Sequence, residues 1–94
     1  SNIDEVLDEL NDCVSGNDNT ERQWEVKELM KEINQFLLAL PKDKRYMFVL
    51  RYWYVESISE IAQRLNISES NVSVSLNRIR KKLKVHLIER GFDV

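Results

Sequence analysis

The sequence predicts an all-α domain of four main helices, preceded by one short additional helix and without a β-sheet. The 94 residues include only two glycines and one proline, and the abundant leucine, isoleucine, glutamate, lysine and arginine residues favour helices. Apolar residues also recur at spacings of three and four along most of the chain. No two segments form a convincing pair of strands, and a lone strand would have no partner. A chain of this length is expected to form one domain with a small core.

The first twenty residues are expected to form an acidic linker segment, 1–20, ahead of the domain at 21–94. A short amphipathic helix is predicted within it, near residues 3–13. Its apolar side chains should share one face: Ile3, Val6, Leu7 and Leu10. Its acidic side chains should cover the opposite face: Asp4, Glu5, Asp8 and Glu9. Such a short helix is marginal by itself, and the turn-rich VSGNDNT that follows predicts a loose tether.

A second amphipathic pattern predicts a helix over residues 21–40. Its apolar residues alternate by three and four, with three more that widen the face: Val26, Leu29, Ile33, Phe36 and Leu40, then Trp24, Met30 and Leu37. Thr20 or an adjacent residue should cap this helix. Pro41 should end it, because a proline biases the residue before it away from helical geometry.

The next segment, YMFVLRYWYV at 46–55, is apolar or aromatic at every position except Arg51. It has no period, so by itself it fits a buried strand or a buried helix. The preceding KDKR is poor strand material and no second strand is available, which favours a helix over 42–55 at the centre of the core. Because three consecutive residues cannot share one face, at least one of three aromatic residues should be exposed: Tyr52, Trp53 and Tyr54.

Two helix patterns joined by a very short turn follow: 57–65 and 69–89. Ser57 and Glu60 have the spacing of a capping box, in which each side chain satisfies an amide of the first turn. Asn66 tolerates a left-handed backbone in the turn, and Ser68 can cap the second helix. The second helix carries an apolar stripe that must be buried: Val72, Leu76, Ile79, Leu83 and Leu87. The residues we expect in the core are Ile61, Leu65, Ile67, Val72, Leu76 and Phe48.

The opposite side of the second helix is polar and basic. At 100° per residue, four side chains point away from the stripe: Ser70, Val74, Arg78 and Lys81. They are flanked by Asn71, Asn77 and Lys82, and the adjoining sequence adds further basic residues. Two short helices with a three-residue turn and such a face are typical of a helix-turn-helix, which places its second helix in the major groove of DNA. The alternative is an amphipathic pair whose basic face is simply solvated.

Charge divides the chain into two unlike parts. Residues 1–41 carry three basic and ten acidic side chains, a net charge of −7, whereas residues 42–94 carry eleven basic and six acidic ones, a net charge of +5. This asymmetry indicates a nucleic-acid surface on the basic side. We also expect the acidic arm to lie near the basic helix and to compete with DNA there.

The sequence gives no support for catalysis, a cofactor or a metal site. His86 is the only histidine, and it has neither a metal-ligand partner nor a catalytic triad around it. No apolar run is long enough to span a bilayer, so no membrane partner is expected. Cys13 is the only cysteine and cannot form an internal disulfide, which fits a reducing, cytoplasmic location.

Taken together, these residues resemble region 4 of bacterial RNA polymerase sigma factors, of the small extracytoplasmic-function (ECF) type. The similarity covers roughly residues 26–90. The matching positions are Leu40-Pro41, Arg45, the LRYWY run, Ser57, Glu60-Ile61-Ala62, Leu65, Ile67-Ser68, Val72, Leu76, Arg78, Arg80 and Leu83. The acidic LDELNDCVSGNDNTE segment looks like the linker that joins such a domain to an upstream domain.

The resemblance implies a helix-turn-helix fold of the winged-helix-like, sigma region 4 type without a wing. Its implied partners are double-stranded promoter DNA at the −35 element, the β flap of the RNA polymerase core and an anti-sigma factor. The positions that would face bases are Ser73, Val74, Asn77 and Arg78. The positions that the resemblance implies near phosphates are Arg51 and Ser57. Independently of the resemblance, Arg80, Lys82 and Lys84 lie toward the flanks of the second helix, where we expect phosphate contacts. The flap is expected to bind a groove lined by some of Phe36, Leu37, Trp53, Tyr54 and Leu87.

Two other functions fit part of the sequence. The output domain of a response-regulator-type transcription factor has a similar helix pair and would normally dimerise on inverted half-sites. A protein-interaction module would use the aromatic residues at 52–54 and would need no DNA. The sequence of the upstream domain would separate these hypotheses.

Overall fold

The computed structural model describes residues 2–14 and 26–92, which form five helices. In chain order these are α1 (Asn2–Val14), α2 (Val26–Ala39), α3 (Lys42–Tyr52), α4 (Ile58–Leu65) and α5 (Glu69–Glu89). No strand occurs in the two described ranges, and the predicted all-α fold is confirmed. The predicted start of α2 near residue 21, with its cap at Thr20, lies outside the described residues.

Helix α5 is the centre of the fold, because it packs against each of the other four helices. The apolar stripe predicted for it is buried along its whole length: Val72, Leu76, Ile79, Leu83 and Leu87. Each fully buried aliphatic side chain of this kind contributes roughly 1.5–3 kcal/mol. One helix therefore supplies much of the core and, on its other side, an exposed polar surface.

The connection between α4 and α5 has the geometry that the sequence predicts. The Ser57 hydroxyl accepts a hydrogen bond from the Glu60 amide and the Glu60 carboxylate accepts one from the Ser57 amide, which completes the capping box. Asn66 ends α4 in the left-handed conformation, with φ 58° and ψ 47°. The Ser68 hydroxyl then accepts from the Asn71 amide at 3.0 Å and caps α5. The turn is therefore held by side chains and backbone at both helix ends.

Helix α3 ends at Tyr52, three residues earlier than predicted. The amides of Trp53 and Tyr54 both donate to the Val49 carbonyl, which closes the last turn. Val55 then adopts a positive φ of 56°, a rare conformation for a β-branched residue. The three consecutive aromatic residues around this turn cannot share one face of a helix. Tyr52 is buried while Trp53 and Tyr54 are 48% and 70% exposed, so the prediction that one of them reaches the surface is confirmed.

Helix α1 packs against α3 and α5, and its orientation differs from the prediction. Val6 and Cys13 are buried, whereas Ile3 and Leu7 are both more than half exposed. Glu9, predicted on the outer face, instead lies against α3 and α5. The helix is rotated because an ion-pair network draws Glu9 inward, at the expense of two apolar side chains.

The predicted core is largely confirmed. Four of its members are buried: Phe48, Ile61, Val72 and Leu76. The other two, Leu65 and Ile67, are only partly buried and pack against the edge of the core. They lie on either side of Asn66, where the chain reverses direction, so their side chains are not enclosed on all sides.

Candidate nucleic-acid interface

The outer surface of α5 carries most of the residues predicted to bind DNA. The four that point away from the apolar stripe are exposed: Ser70, Val74, Arg78 and Lys81. Five neighbouring residues are exposed as well: Asn71, Ser73, Asn77, Lys82 and Lys84. We refer to these nine residues as the α5 outer surface. It forms a continuous polar and basic strip along a helix whose opposite side is fixed in the core.

In the two described ranges, no acidic side chain lies within ion-pair distance of the cations of the α5 outer surface. Within the described part of the chain, Arg78, Lys81, Lys82 and Lys84 make no ion pair. The only acidic residue in the first turn of α5 is Glu69, where the helix dipole favours a negative charge. A strip of unpaired cations on a rigid helix attracts phosphate groups and raises the rate of encounter with nucleic acid.

The N-terminal half of α5 is anchored through Ser75, which is buried among polar groups. The Lys44 ammonium donates to its hydroxyl oxygen at 3.3 Å, and the hydroxyl donates to the Asn71 side-chain oxygen at 3.1 Å. Asn71 is therefore exposed, but its side-chain oxygen already accepts a hydrogen bond from Ser75. Ser73, on the outer surface, has no such tie and faces solvent.

Two arginines predicted near phosphates are placed elsewhere. The Arg51 side chain is 1% exposed and binds the Glu9 carboxylate with two hydrogen bonds, Nε to Oε1 at 3.1 Å and Nη2 to Oε2 at 2.8 Å. Its Nη1 donates to the Glu56 carbonyl at 2.8 Å. Arg80 points away from Arg78, since the two residues differ by 200° around the helix, and its side chain is 16% exposed. In this structure Arg51 and Arg80 are therefore turned inward and paired with Glu9, so phosphate contacts by these two arginines stay a prediction that would require the pairing to open.

Arg80 and Tyr52 complete a network around Glu9. The Arg80 Nη1 donates to the Tyr52 hydroxyl at 2.6 Å and to Glu9 Oε1 at 3.3 Å, while Tyr52 donates to Glu9 Oε1 at 2.8 Å. Burial raises the pKa of the Tyr52 hydroxyl, so it remains a donor. Partial burial by itself raises the pKa of Glu9, but hydrogen bonds from Arg51 and Tyr52 and the charges of Arg51 and Arg80 together outweigh it and hold that pKa below its usual 4.5. We call Glu9, Arg51, Tyr52 and Arg80 the Glu9 network.

Sequence reasoning missed the Glu9 network. A signal for it exists, because Asn2, Val6, Glu9 and Cys13 follow helical spacing and share one face. Two of these four are buried in the structure, and the Asn2 side-chain Nδ2 donates to the Val55 carbonyl at 3.4 Å. A carboxylate is rarely buried without a partner, and the partners of Glu9 lie more than 40 residues further along the chain, so local spacing alone does not place Glu9 on this face.

Ser57, also predicted near phosphates, is partly exposed, and its hydroxyl and amide form the capping box of α4. Its side chain is thus already hydrogen-bonded within the protein. Ser57 therefore lies next to α5, but its hydroxyl is already used in the capping box.

The residues predicted to bind the polymerase flap do not form one exposed set. Trp53 and Tyr54 are exposed, whereas three others are buried in the core: Phe36, Leu37 and Leu87. An apolar groove of about 360 Å³ adjoins Trp53 and is lined by Leu10 and Val14 of α1 and Met30 of α2, among others. The accessible apolar surface near the predicted flap site is therefore this groove together with the two aromatic residues.

The described residues contain no group of three or more histidine, cysteine, aspartate or glutamate side chains that could hold a metal ion. Among the same residues, no helix combines the length and apolar character that crossing a membrane requires.

A capped helix pair with a short turn, whose second helix is buried on one side and basic on the other, defines a helix-turn-helix domain of the DNA-binding type. The model of a protein family described as "Sigma-70, region 4" matches residues 30–83, which is more than half of the chain. The chain therefore belongs to the sigma-70 region 4 family.

Curated relatives point to the same family. The chain is 34% identical over 70 residues to proteins named RNA polymerase sigma-F factor from Priestia megaterium and from Bacillus subtilis (strain 168). Each alignment covers 74% of this chain and 26% of the relative, so the chain spans about a quarter of the length of the curated relatives it matches. No solved structure matches the chain.

Proposed function

We propose that this chain is the domain of a sigma factor that recognises the −35 promoter element during transcription initiation. The observation that carries the proposal is the α5 outer surface, an exposed strip with unpaired cations on a helix that is fixed in the core. Membership of the sigma-70 region 4 family supports a sigma factor over a response-regulator output domain or a pure protein-interaction module. The narrower ECF type remains a prediction, which the sequence of the upstream domain would test.

The roles of individual residues follow from their directions on α5. Arg78 lies directly opposite the buried stripe and can donate two parallel hydrogen bonds to a guanine edge, while Asn77 can make the corresponding contact to adenine. Val74, 45% exposed, offers an apolar contact for a thymine methyl group. The lysines at the margins are placed to contact phosphates. Such contacts position the domain on DNA without reading its sequence.

The same proposal includes docking on the β flap of the polymerase core. Trp53, Tyr54 and the adjoining groove provide an apolar surface that the domain does not cover itself, and exposed aromatic residues of this kind are common in protein interfaces. A single domain of this size makes few DNA contacts, so the polymerase would supply the remaining affinity by holding the domain in place. An anti-sigma factor that covers the same surfaces would prevent both interactions.

The test is a selection of duplexes from a pool with random sequence, using the 94-residue chain at low salt. We expect one short preferred sequence, weak binding of about micromolar strength and a steep loss of affinity with salt, as phosphate contacts require. Binding that shows no sequence preference in any round, or affinity that does not change with salt, would refute the proposed role of α5.

A further inference from the structure

Helix α1 is not explained by the proposed function. It precedes the region that the family model matches, residues 30–83, and it is acidic where DNA binding would favour basic residues. It nevertheless packs on α5, the helix that carries the candidate DNA-binding surface. A negatively charged helix placed there must affect how α5 meets a phosphate backbone.

The contact that holds α1 is specific. The Glu9 carboxylate receives four hydrogen bonds, from Arg51 Nε and Nη2, the Tyr52 hydroxyl and Arg80 Nη1. Arg51 is almost completely buried beneath it. Hydrogen bonds between charged and largely desolvated groups are the stronger ones in proteins, and the guanidinium would be left buried without its main partner if Glu9 were neutral. Glu5 of the same helix also pairs with Arg51 Nη2, at 3.5 Å, but its side chain is 66% exposed, so docking of α1 depends mainly on Glu9.

The C-terminal end of α1 lies beside the α5 outer surface. Asp12 and Cys13 line a cleft of about 350 Å³ together with Asn77, Lys81 and Lys84. These three residues of α5 include a candidate base contact and two candidate phosphate contacts. The Asp12 carboxylate repels phosphate groups approaching that side of α5, and the body of α1 occupies space next to it.

We propose that α1 is an autoinhibitory latch: its docking through the Glu9 network weakens DNA binding by α5, and its release restores it. The inference rests on the proposed function, since it requires DNA to bind the α5 outer surface. Because the coupling of two binding events is reciprocal, DNA must also favour the undocked state of α1. That second consequence can be observed without any substitution.

The chain provides its own reporter of α1 docking. Cys13 is its only cysteine and is 2% exposed at the contact between α1 and the rest of the domain. Burial also raises the pKa of this thiol to about 11, so the docked thiol reacts slowly with a thiol reagent. The labelling rate of Cys13 therefore measures how often α1 leaves its site.

The experiment compares wild-type chain, Glu9→Gln and Asp8→Asn in DNA affinity and in Cys13 labelling rate. Asp8 is exposed on the same helix, so Asp8→Asn makes the same change in net charge outside the Glu9 network. The preferred duplex from the selection and a scrambled duplex serve as probes. We expect Glu9→Gln to accelerate labelling and to tighten DNA binding by about tenfold, the scale of losing a hydrogen bond to a charged group. Asp8→Asn should change both by less than about twofold, because an exposed charge contributes little.

Adding the preferred duplex to the wild-type chain should accelerate Cys13 labelling. This measurement keeps the proposal falsifiable even if Glu9→Gln fails to fold. Slower labelling with DNA would mean that α1 remains docked in the complex, and it would overturn the latch. Faster labelling of Glu9→Gln with unchanged DNA affinity, or equal tightening by Glu9→Gln and Asp8→Asn, would also overturn it. If no variant, wild type included, binds any duplex, the proposed function fails and the latch fails with it.

Discussion

Arg78→Ala is the substitution that most directly tests how α5 reads DNA. Arg78 is exposed and makes no ion pair within the described residues, so its removal takes no support from the core. Exposed substitutions of this type change the free energy of unfolding by no more than about 0.5 kcal/mol. Any change in DNA recognition is then attributable to the lost contact and not to a damaged fold.

The size of the effect follows from the contact that Arg78 is placed to make. A guanidinium that donates two hydrogen bonds to one guanine contributes about 1–3 kcal/mol of discrimination against other bases, or roughly 5- to 150-fold in relative affinity. Arg78→Ala should therefore flatten the preference at one base pair of the selected duplex by that factor. Preferences at the other base pairs should persist.

The assay is competitive binding of the chain to the selected duplex and to its single-base-pair variants. Lys82→Ala is the matched control, because Lys82 is also exposed and unpaired but lies at the margin of the α5 outer surface, away from the α1 cleft. It should weaken binding to all duplexes alike and reduce the salt slope by roughly one unit. If Arg78→Ala weakens every duplex equally while Lys82→Ala alters base preference, α5 is rotated on DNA relative to the proposal.

Three further outcomes are expected. Trp53→Ala and Tyr54→Ala should weaken binding of the domain to the isolated β flap, whereas Val85→Ala, which also removes an exposed apolar side chain, should not; equal affinity for all three would exclude the aromatic site. Asn66→Ala should lower the free energy of unfolding in urea by about 1 kcal/mol, because alanine disfavours the left-handed conformation. Asn66→Gly should leave that free energy unchanged, and a lower stability for the glycine variant would contradict this account of the turn. Burial raises the pKa of Cys13 from 9.0 to about 11. The neutral thiol therefore stabilises the docked state of α1 fully below pH 9, and this stabilisation should be lost as the pH rises towards 11. Helix content followed by circular dichroism should show the loss in wild type and not in Cys13→Ala.

Sequence alone predicts the helix-turn-helix well because its determinants are local. The capping box of Ser57, the left-handed Asn66 and the cap at Ser68 each depend on residues within a few positions of one another. The apolar stripe of α5 likewise follows from periodicity, and once it is buried the direction of Arg78 is fixed. Fold class and the outward direction of most candidate DNA contacts therefore need no knowledge of distant residues.

The rotation of α1 and the burial of Arg51 could not be predicted in this way. The apolar pattern of α1, considered by itself, places Ile3 and Leu7 on the inner face of the helix. The structure instead turns Glu9 inward, because Arg51 and Arg80, remote in sequence, converge on it. Arg80 shows a related limit: helical spacing turns it away from Arg78, but its partners Tyr52 and Glu9 are remote in sequence. Long-range ion pairs of this kind override local hydrophobic pattern.

The central position of α5 has a consequence for altering promoter choice. The core-forming side chains and the side chains proposed to contact bases lie on different sides of one helix, and the two sets share no member: Val72, Leu76, Ile79, Leu83 and Leu87 are buried, while Ser73, Val74, Asn77 and Arg78 are exposed. The second set can therefore be randomised as a group, with the first held constant, to obtain libraries in which nearly every member folds. Such libraries would allow orthogonal promoter–factor pairs to be selected on a single scaffold, with α2, α3 and α4 left unchanged.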